Sequence, residues 1–261
     1  MIWLGILARA TIGCGVSERE ASPPQLSRLG TAPNGLEERV RWVLDRLLDQ
    51  YGRPTRRVAD PLDELVATIL SQNTSDANSG RAFAALKKRF PTWDKVLAAP
   101  ADELAATIRS GGLATIKAAR IQQALSAVLA ARGALDLSFL AGLPLEEARR
   151  WLASLPGVGG KTASCVLLFA LGQPALPVDT HVQRVTVRLG LAPERSSPDR
   201  IAAMLEAVIS PTEVYDLHMS LIRHGRQTCS AGRPRCEACV LASRCPRIGG
   251  GSEKPVVKEQ R

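Results

Sequence analysis

The chain has 261 residues, 45% apolar and 23% charged, enough to bury one large core or two modest ones. Aromatic residues make up only 4% while Ala and Leu dominate, which favours helices over a sandwich or barrel, and no apolar run approaches the ~20 residues of a membrane span. Lys and Arg number 34 against 25 Asp and Glu, a net charge of +9; a basic chain of this kind most often meets nucleic acid.

Residues 1–34 read as a poorly ordered extension, ending in the breakers Pro23-Pro24 and Ala32-Pro33-Asn34-Gly35. The apolar start Met1–Ala8 lacks the basic segment of a signal peptide, so an intracellular setting is expected. Leu36–Gln50 carries Val40, Val43, Leu44, Leu47 and Leu48 at helical spacing and stops at Tyr51-Gly52-Arg53-Pro54. Asp60-Pro61 opens a helix through about Gln72, and Ser75 or Asp76 caps one running to Phe90-Pro91. Ala101–Arg109, Thr115–Arg132 and Leu145–Leu155 read as further helices, with Gly111-Gly112 and Gly133 as stops. Lys161–Leu171 reads as one helix, Asp179 caps another through Leu189, Ser197-Pro198 starts one ending near Ser210-Pro211, and Thr212–His224 is the last long one. Alternation of strand type is absent and the fold class is all-α.

Three motifs carry chemistry. In Leu155-Pro156-Gly157-Val158-Gly159-Gly160-Lys161 the glycines permit a tight hairpin between two helices and leave backbone N–H groups bare, a nest that suits a phosphate oxygen, although an ordinary helical corner has the same composition. Lys161 then falls in the first turn of a helix. A positive charge is unfavourable there, and burial would further favour the neutral amine, a nucleophile; a solvated lysine touching phosphate is the plainer alternative. In Val178-Asp179-Thr180-His181-Val182-Gln183-Arg184, Asp179 has a capping role available and can also bring a carboxylate back beside Lys161. Finally, Cys229-x6-Cys236-x2-Cys239-x5-Cys245 sits among Arg226, Arg233, Arg235 and Arg244. Four thiolates suit tetrahedral zinc or a [4Fe–4S] cluster, and the single Cys-x2-Cys knuckle leans towards the cluster.

Together, in this order, the three motifs resemble the endonuclease III family of DNA glycosylases, in the helix-hairpin-helix superfamily with a C-terminal iron–sulfur cluster; the resemblance runs from about Leu36 to Arg247. It implies two helical domains with DNA in the groove between them. One is a six-helix bundle over 54–173 with the hairpin at about 145–171; the other joins 35–53 to 174–247 and holds the cluster, leaving 248–261 as a tail. By the same resemblance Lys161 is the nucleophile, Asp179 its carboxylate, and Cys229, Cys236, Cys239 and Cys245 the cluster ligands. Gly157, Gly159, Gly160, His181, Arg184, Arg233 and Arg235 are the expected DNA contacts, and the protein is expected to be a monomer in the cytoplasm or nucleoid.

The implied activity is removal of an oxidised pyrimidine from double-stranded DNA, followed by β-elimination at the abasic site through a lysine Schiff base. The alternatives are a mismatch glycosylase without lyase activity, which would lack Lys161, and a non-catalytic zinc-containing DNA-binding module. The chain departs from the family in two places. Gly160 stands where the family often has a basic residue. In Leu70-Ser71-Gln72-Asn73-Thr74, which resembles the loop filling the hole left by a flipped base, Asn73 falls at the family's Gln position with Gln72 one residue earlier. Leu113 is the candidate for a second wedge.

Overall fold

The computed structural model describes residues 34–56 and 58–249, so the readings made of 1–33 and 250–261 lie outside the described residues. Among these residues all regular structure is helical: α1 Asn34–Tyr51, α2 Pro61–Ser71, α3 Asp76–Arg89, α4 Trp93–Ala98, α5 Ala101–Thr107, α6 Ala114–Arg132, α7 Leu145–Ala153, α8 Gly160–Cys165, α9 Thr180–Arg188, α10 Pro198–Glu206 and α11 Val214–Gln227. Local chemistry starts several of them. Asp60 accepts from the N–H groups of Leu62 and Asp63, Ser75 from Asn78, Ser197 from Arg200 and Asp179 from Val182, each cap contributing about 1 kcal/mol. Gly133 ends α6 with φ +71°, a conformation that favours glycine.

Two elements differ from the sequence reading. α4, capped by Thr92, is too short for an apolar period to reveal. The expected single helix Lys161–Leu171 is α8 followed by a π-helical segment, Val166–Ala170, in which the N–H of Leu171 reaches back to the carbonyl of Val166 at 3.3 Å. Such widened turns recur at functional sites.

The apolar residues form two cores. The first gathers side chains from α2 to α8, among them Leu65, Ile69, Leu86, Ile121, Leu125 and Leu152. The second joins Val40, Val43, Leu44 and Leu47 of α1 to Val182, Val185, Leu205, Leu217 and Leu221 of α9–α11. The π-helical segment belongs to both: Val166 and Leu167 are buried in the first core, whereas Leu168 is buried in the second. Arg149 of α7 reinforces the join by donating to both carboxylate oxygens of Glu206 in α10 at 3.0 Å, and Glu206 also accepts from the N–H of Leu176 at 2.6 Å. α9 and α11 approach so closely that a Cβ at Gly225 would lie 3.0 Å from the Cβ of His181.

Truncation on either side of the shared wall leaves a cavity in a different core. Leu167→Ala and Leu168→Ala should each destabilise the protein by about 2–5 kcal/mol, measured as a lower urea midpoint with little change in slope.

Candidate active site

The hairpin between α7 and α8 is anchored by the buried Leu155 and Val158. Gly157 has φ +76°, and a Cβ there would also meet the side chain of Arg120 at 3.1 Å, so both backbone and space call for glycine. Gly159 opens α8 in extended conformation without a side-chain cap. At Gly160 a Cβ would lie 2.6 Å from Oδ1 of Asp199. A carboxylate therefore stands where the expected family would place a basic side chain.

Lys161 and Asp179, eighteen positions apart in the motif reading, line one cleft of about 370 Å³ together with Glu64, Thr68, Cys165, Phe169 and His218. Lys161 is exposed, so burial adds nothing to the effect of its place in the first turn: the hairpin holds it at the cleft surface, and the buried positions of α8 are its following residues, Thr162 to Cys165. Asp179 is half-buried and uses Oδ1 to cap α9 through the Val182 N–H at 2.8 Å. The cap is thus real and coexists with a place in the cleft.

Three titratable neighbours were not singled out from the sequence. Burial pushes the Glu64 carboxyl above its ordinary range, opposed by a hydrogen bond from Thr68 Oγ1 at 3.0 Å and by the charge of Lys161. His218 is buried; its Nδ1 lies 2.9 Å from the carbonyl of Pro177 and its ring packs edge-on against Phe169. Burial brings its pKa down to about 4, against the opposing charge of Asp179. The neutral ring donates from Nδ1 and so fixes the segment leading into Asp179. The Cys165 thiol is pushed up to about 12 by burial and is an inert wall. Glu64 was hidden because an acid in the first turn of α2 already has a reason to be there; His218 was hidden among the apolar residues of α11.

The remaining candidates separate clearly. Gln72 is tied down, its Oε1 accepting from Arg120 at 3.1 Å and its Nε2 lying 3.5 Å from Thr162 Oγ1. Asn73 is exposed with φ +52° and Leu113 is exposed with φ +48°. Arg184, expected to contact DNA, turns inward. It donates to the carbonyls of Cys229 at 3.0 Å and Gly225 at 2.9 Å and lies 3.1 Å from His181 Nδ1. Its donors stitch α9 to α11 and the cysteine loop, so this arginine is a structural clamp, and His181 is engaged with it. Arg233 is exposed, and Arg235 donates to the carbonyl of Gln227.

Cys229, Cys236, Cys239 and Cys245 are free thiols that line one cavity of about 30 Å³. No three His, Cys, Asp or Glu side chains among the described residues are arranged to hold a single metal ion; the four sulfurs open on a shared space. Burial raises the thiol pKa of Cys239, and the three neighbouring cysteines raise it further, so four thiolates need positive charge among them. Donors already face the sulfurs: Arg188 lies 3.4 Å from Cys229 Sγ, the Leu241 N–H 3.4 Å and His224 Nε2 3.6 Å from Cys239 Sγ. His224 in turn meets Tyr51 of α1 at 3.0 Å. The donor set fits a thiolate-ligated metal group.

Residues 66–211, more than half of the chain, match the model of the HhH-GPD superfamily base excision DNA repair protein. Endonuclease III of Bacillus subtilis is 31% identical over 85% of this chain and 98% of its own length. The chain belongs to the endonuclease III family. A putative DNA glycosylase of Arabidopsis thaliana is 40% identical over 72% of this chain; that match spans 65% of the plant protein. A solved structure described as a trapped endonuclease III–DNA covalent intermediate superposes with a TM-score of 0.70 at 32% identity, covering 81% of this chain and 96% of that one. This endonuclease III homologue is an enzyme of the base-excision DNA-repair glycosylase type with the two-domain helical fold of the family.

Glu64 offers a test of the cleft's electrostatics. A carboxyl whose folded pKa is raised gives a contribution complete below the ordinary carboxylate range and lost as pH rises through the folded value. Glu64→Gln should therefore gain stability over the parent as pH rises above that range and show no gain in acid, as urea midpoints across pH will report.

Proposed function

We propose that the protein is a bifunctional glycosylase that removes oxidised pyrimidines from double-stranded DNA and cleaves the resulting abasic site, acting as a monomer. The observation that carries this reading is the meeting of Lys161 and Asp179 in one cleft beside a glycine hairpin. The damaged base leaves the stack at a cost of about a few kcal/mol, least for a poorly paired lesion. The exposed hairpin amides and Arg233 hold the phosphate backbone.

The Lys161 amine attacks C1′ of the sugar, and the C1′–N bond breaks with its electron pair leaving on the base. Asp179 receives the proton released by the amine and offsets the positive charge developing on the sugar. Glu64, whose burial favours the protonated form, faces the same space and is placed to donate a proton to the departing base. Opening of the sugar leaves an imine to Lys161. Loss of a C2′ proton then expels the 3′ phosphate by β-elimination. His218 keeps Asp179 in register from behind.

Cys229, Cys236, Cys239 and Cys245 hold a [4Fe–4S] cluster in this reading. When bound, it supplies a four-point cross-link of the C-terminal loop and no chemistry at the sugar. Purified protein should contain about four iron atoms per chain, and Cys236→Ser should lower soluble yield without selectively lowering the rate of the soluble remainder. Stoichiometric zinc in active, colourless protein overturns the assignment.

Borohydride added during turnover on abasic DNA should leave protein covalently attached to the strand. Lys161→Ala should abolish that adduct with little change in stability. Asp179→Asn should slow it by tenfold or more while keeping the cap, whereas Asp179→Ala should in addition lose about 1 kcal/mol of stability. Wild-type trapping by Lys161→Ala would assign the nucleophile elsewhere.

A further inference from the structure

Lys117, in the first half of α6, is a charged side chain almost wholly withdrawn from solvent, at 1% exposure. Its ammonium donates to the carbonyls of Leu70 and Gly111, both at 2.7 Å. Among the described residues no carboxylate pairs with it. A cation buried without a counter-charge is unfavourable, and burial pushes its pKa down. What it holds explains its presence.

Leu70 lies in the last turn of α2, where helix carbonyls lack internal partners, and Gly111 closes the 3-10 turn Arg109–Gly111. Each carbonyl sits just ahead of a loop tip in strained backbone: Asn73 at φ +52° and Leu113 at φ +48°. A leucine in the left-handed region persists only where its surroundings dictate it. Leu113 is nonetheless 51% exposed, and its neighbour Ile116 is 50% exposed, so the strain presents apolar surface to water. The Gly111 turn also lies close to the end of α2 and to α3: a Cβ at Gly111 would fall 3.8 Å from the Leu70 carbonyl oxygen and 3.2 Å from the Ala82 Cβ. The first loop is tied onward to the hairpin through Gln72 and Thr162.

We propose that Lys117 is a positioning residue whose ammonium clasps the two loops together, so that a polar tip, Asn73, and an apolar tip, Leu113, enter the duplex as one unit and drive base extrusion. The proposal rests on the glycosylase reading above. It separates extrusion, which needs both tips, from bond cleavage, which needs only Lys161 and its neighbours.

The test compares single-turnover base removal by the full chain and by Lys117→Met on two substrates, a duplex with paired thymine glycol and the same lesion in single-stranded DNA. A 2-aminopurine beside the lesion reports unstacking, and borohydride trapping on an abasic site reports chemistry. Lys117→Met should lose tenfold or more on the paired lesion, with unstacking slowed in parallel. Its rate on the single strand and its trapping on the abasic site should stay within about twofold of the parent. Equal losses on every substrate, or none on any, overturn the clasp. An inactive parent on all of them overturns the glycosylase reading instead. Should Lys117→Met not fold, Asn73→Ala, Leu113→Ala and their combination decide: tips acting as a unit give non-additive losses on the paired lesion, and strictly multiplicative losses overturn the proposal.

Discussion

One helical run, Gly160 to Ala170, is a wall common to two cores, and the site depends on that sharing. Leu167 is buried on one side and Leu168 on the other; the π-helical turn lets consecutive side chains satisfy two cores whose packing directions differ. Because the same run begins at the hairpin, the rigidity supplied by both cores is delivered to Lys161. The adjacent Arg149–Glu206 pair and the bond from the Leu176 N–H to Glu206 brace the strand of chain leading on to Asp179. Amine and carboxylate are thereby placed by burial elsewhere and need no contact with each other.

The cleft itself runs against stability. Glu64 and His218 are both withdrawn from water in ways that disfavour their charged forms, and Asp179 divides its carboxylate between a cap and the cleft. Perturbed groups gathered in a concave site are a signature of function, and here each has a named cause. The carboxylate of Asp199 against Gly160 moderates the positive potential of the hairpin.

Much of this was legible in the residues because it rests on local chemistry. Asp60-Pro61, Ser75, Asp179 and Ser197-Pro198 each declare a helix start through an oxygen placed before a turn of bare N–H groups, and Gly157 declares a hairpin through its conformational freedom. What was hidden depends on tertiary placement. Lys117 reads as one more surface lysine on α6 until two distant carbonyls are seen around it. Arg184 follows the motif of a phosphate contact, yet its guanidinium faces the cysteine loop. The split of the hairpin helix is invisible because an apolar run is equally compatible with one core or two. Gln72 and Asn73 could not be ranked by pattern, because only the folded chain shows the first bonded to Arg120 and the second exposed in left-handed backbone.

The second core draws α1 together with helices encoded far downstream: Tyr51 meets His224 across 173 positions of sequence, and His224 lies against a cysteine sulfur. During synthesis the first core, built from contiguous chain, has all its parts as soon as Ala175 leaves the ribosome. α1 emerges earlier yet must wait, its apolar face uncovered, until α9–α11 arrive. A nascent chain stalled just short of α9 would thus display a finished bundle with an orphaned amphipathic helix in front of it, a form open to chaperones and proteases. Arrival of α9–α11 is then the event that ends this exposure, so the newborn chain stays vulnerable for as long as synthesis takes to run on to Gln227.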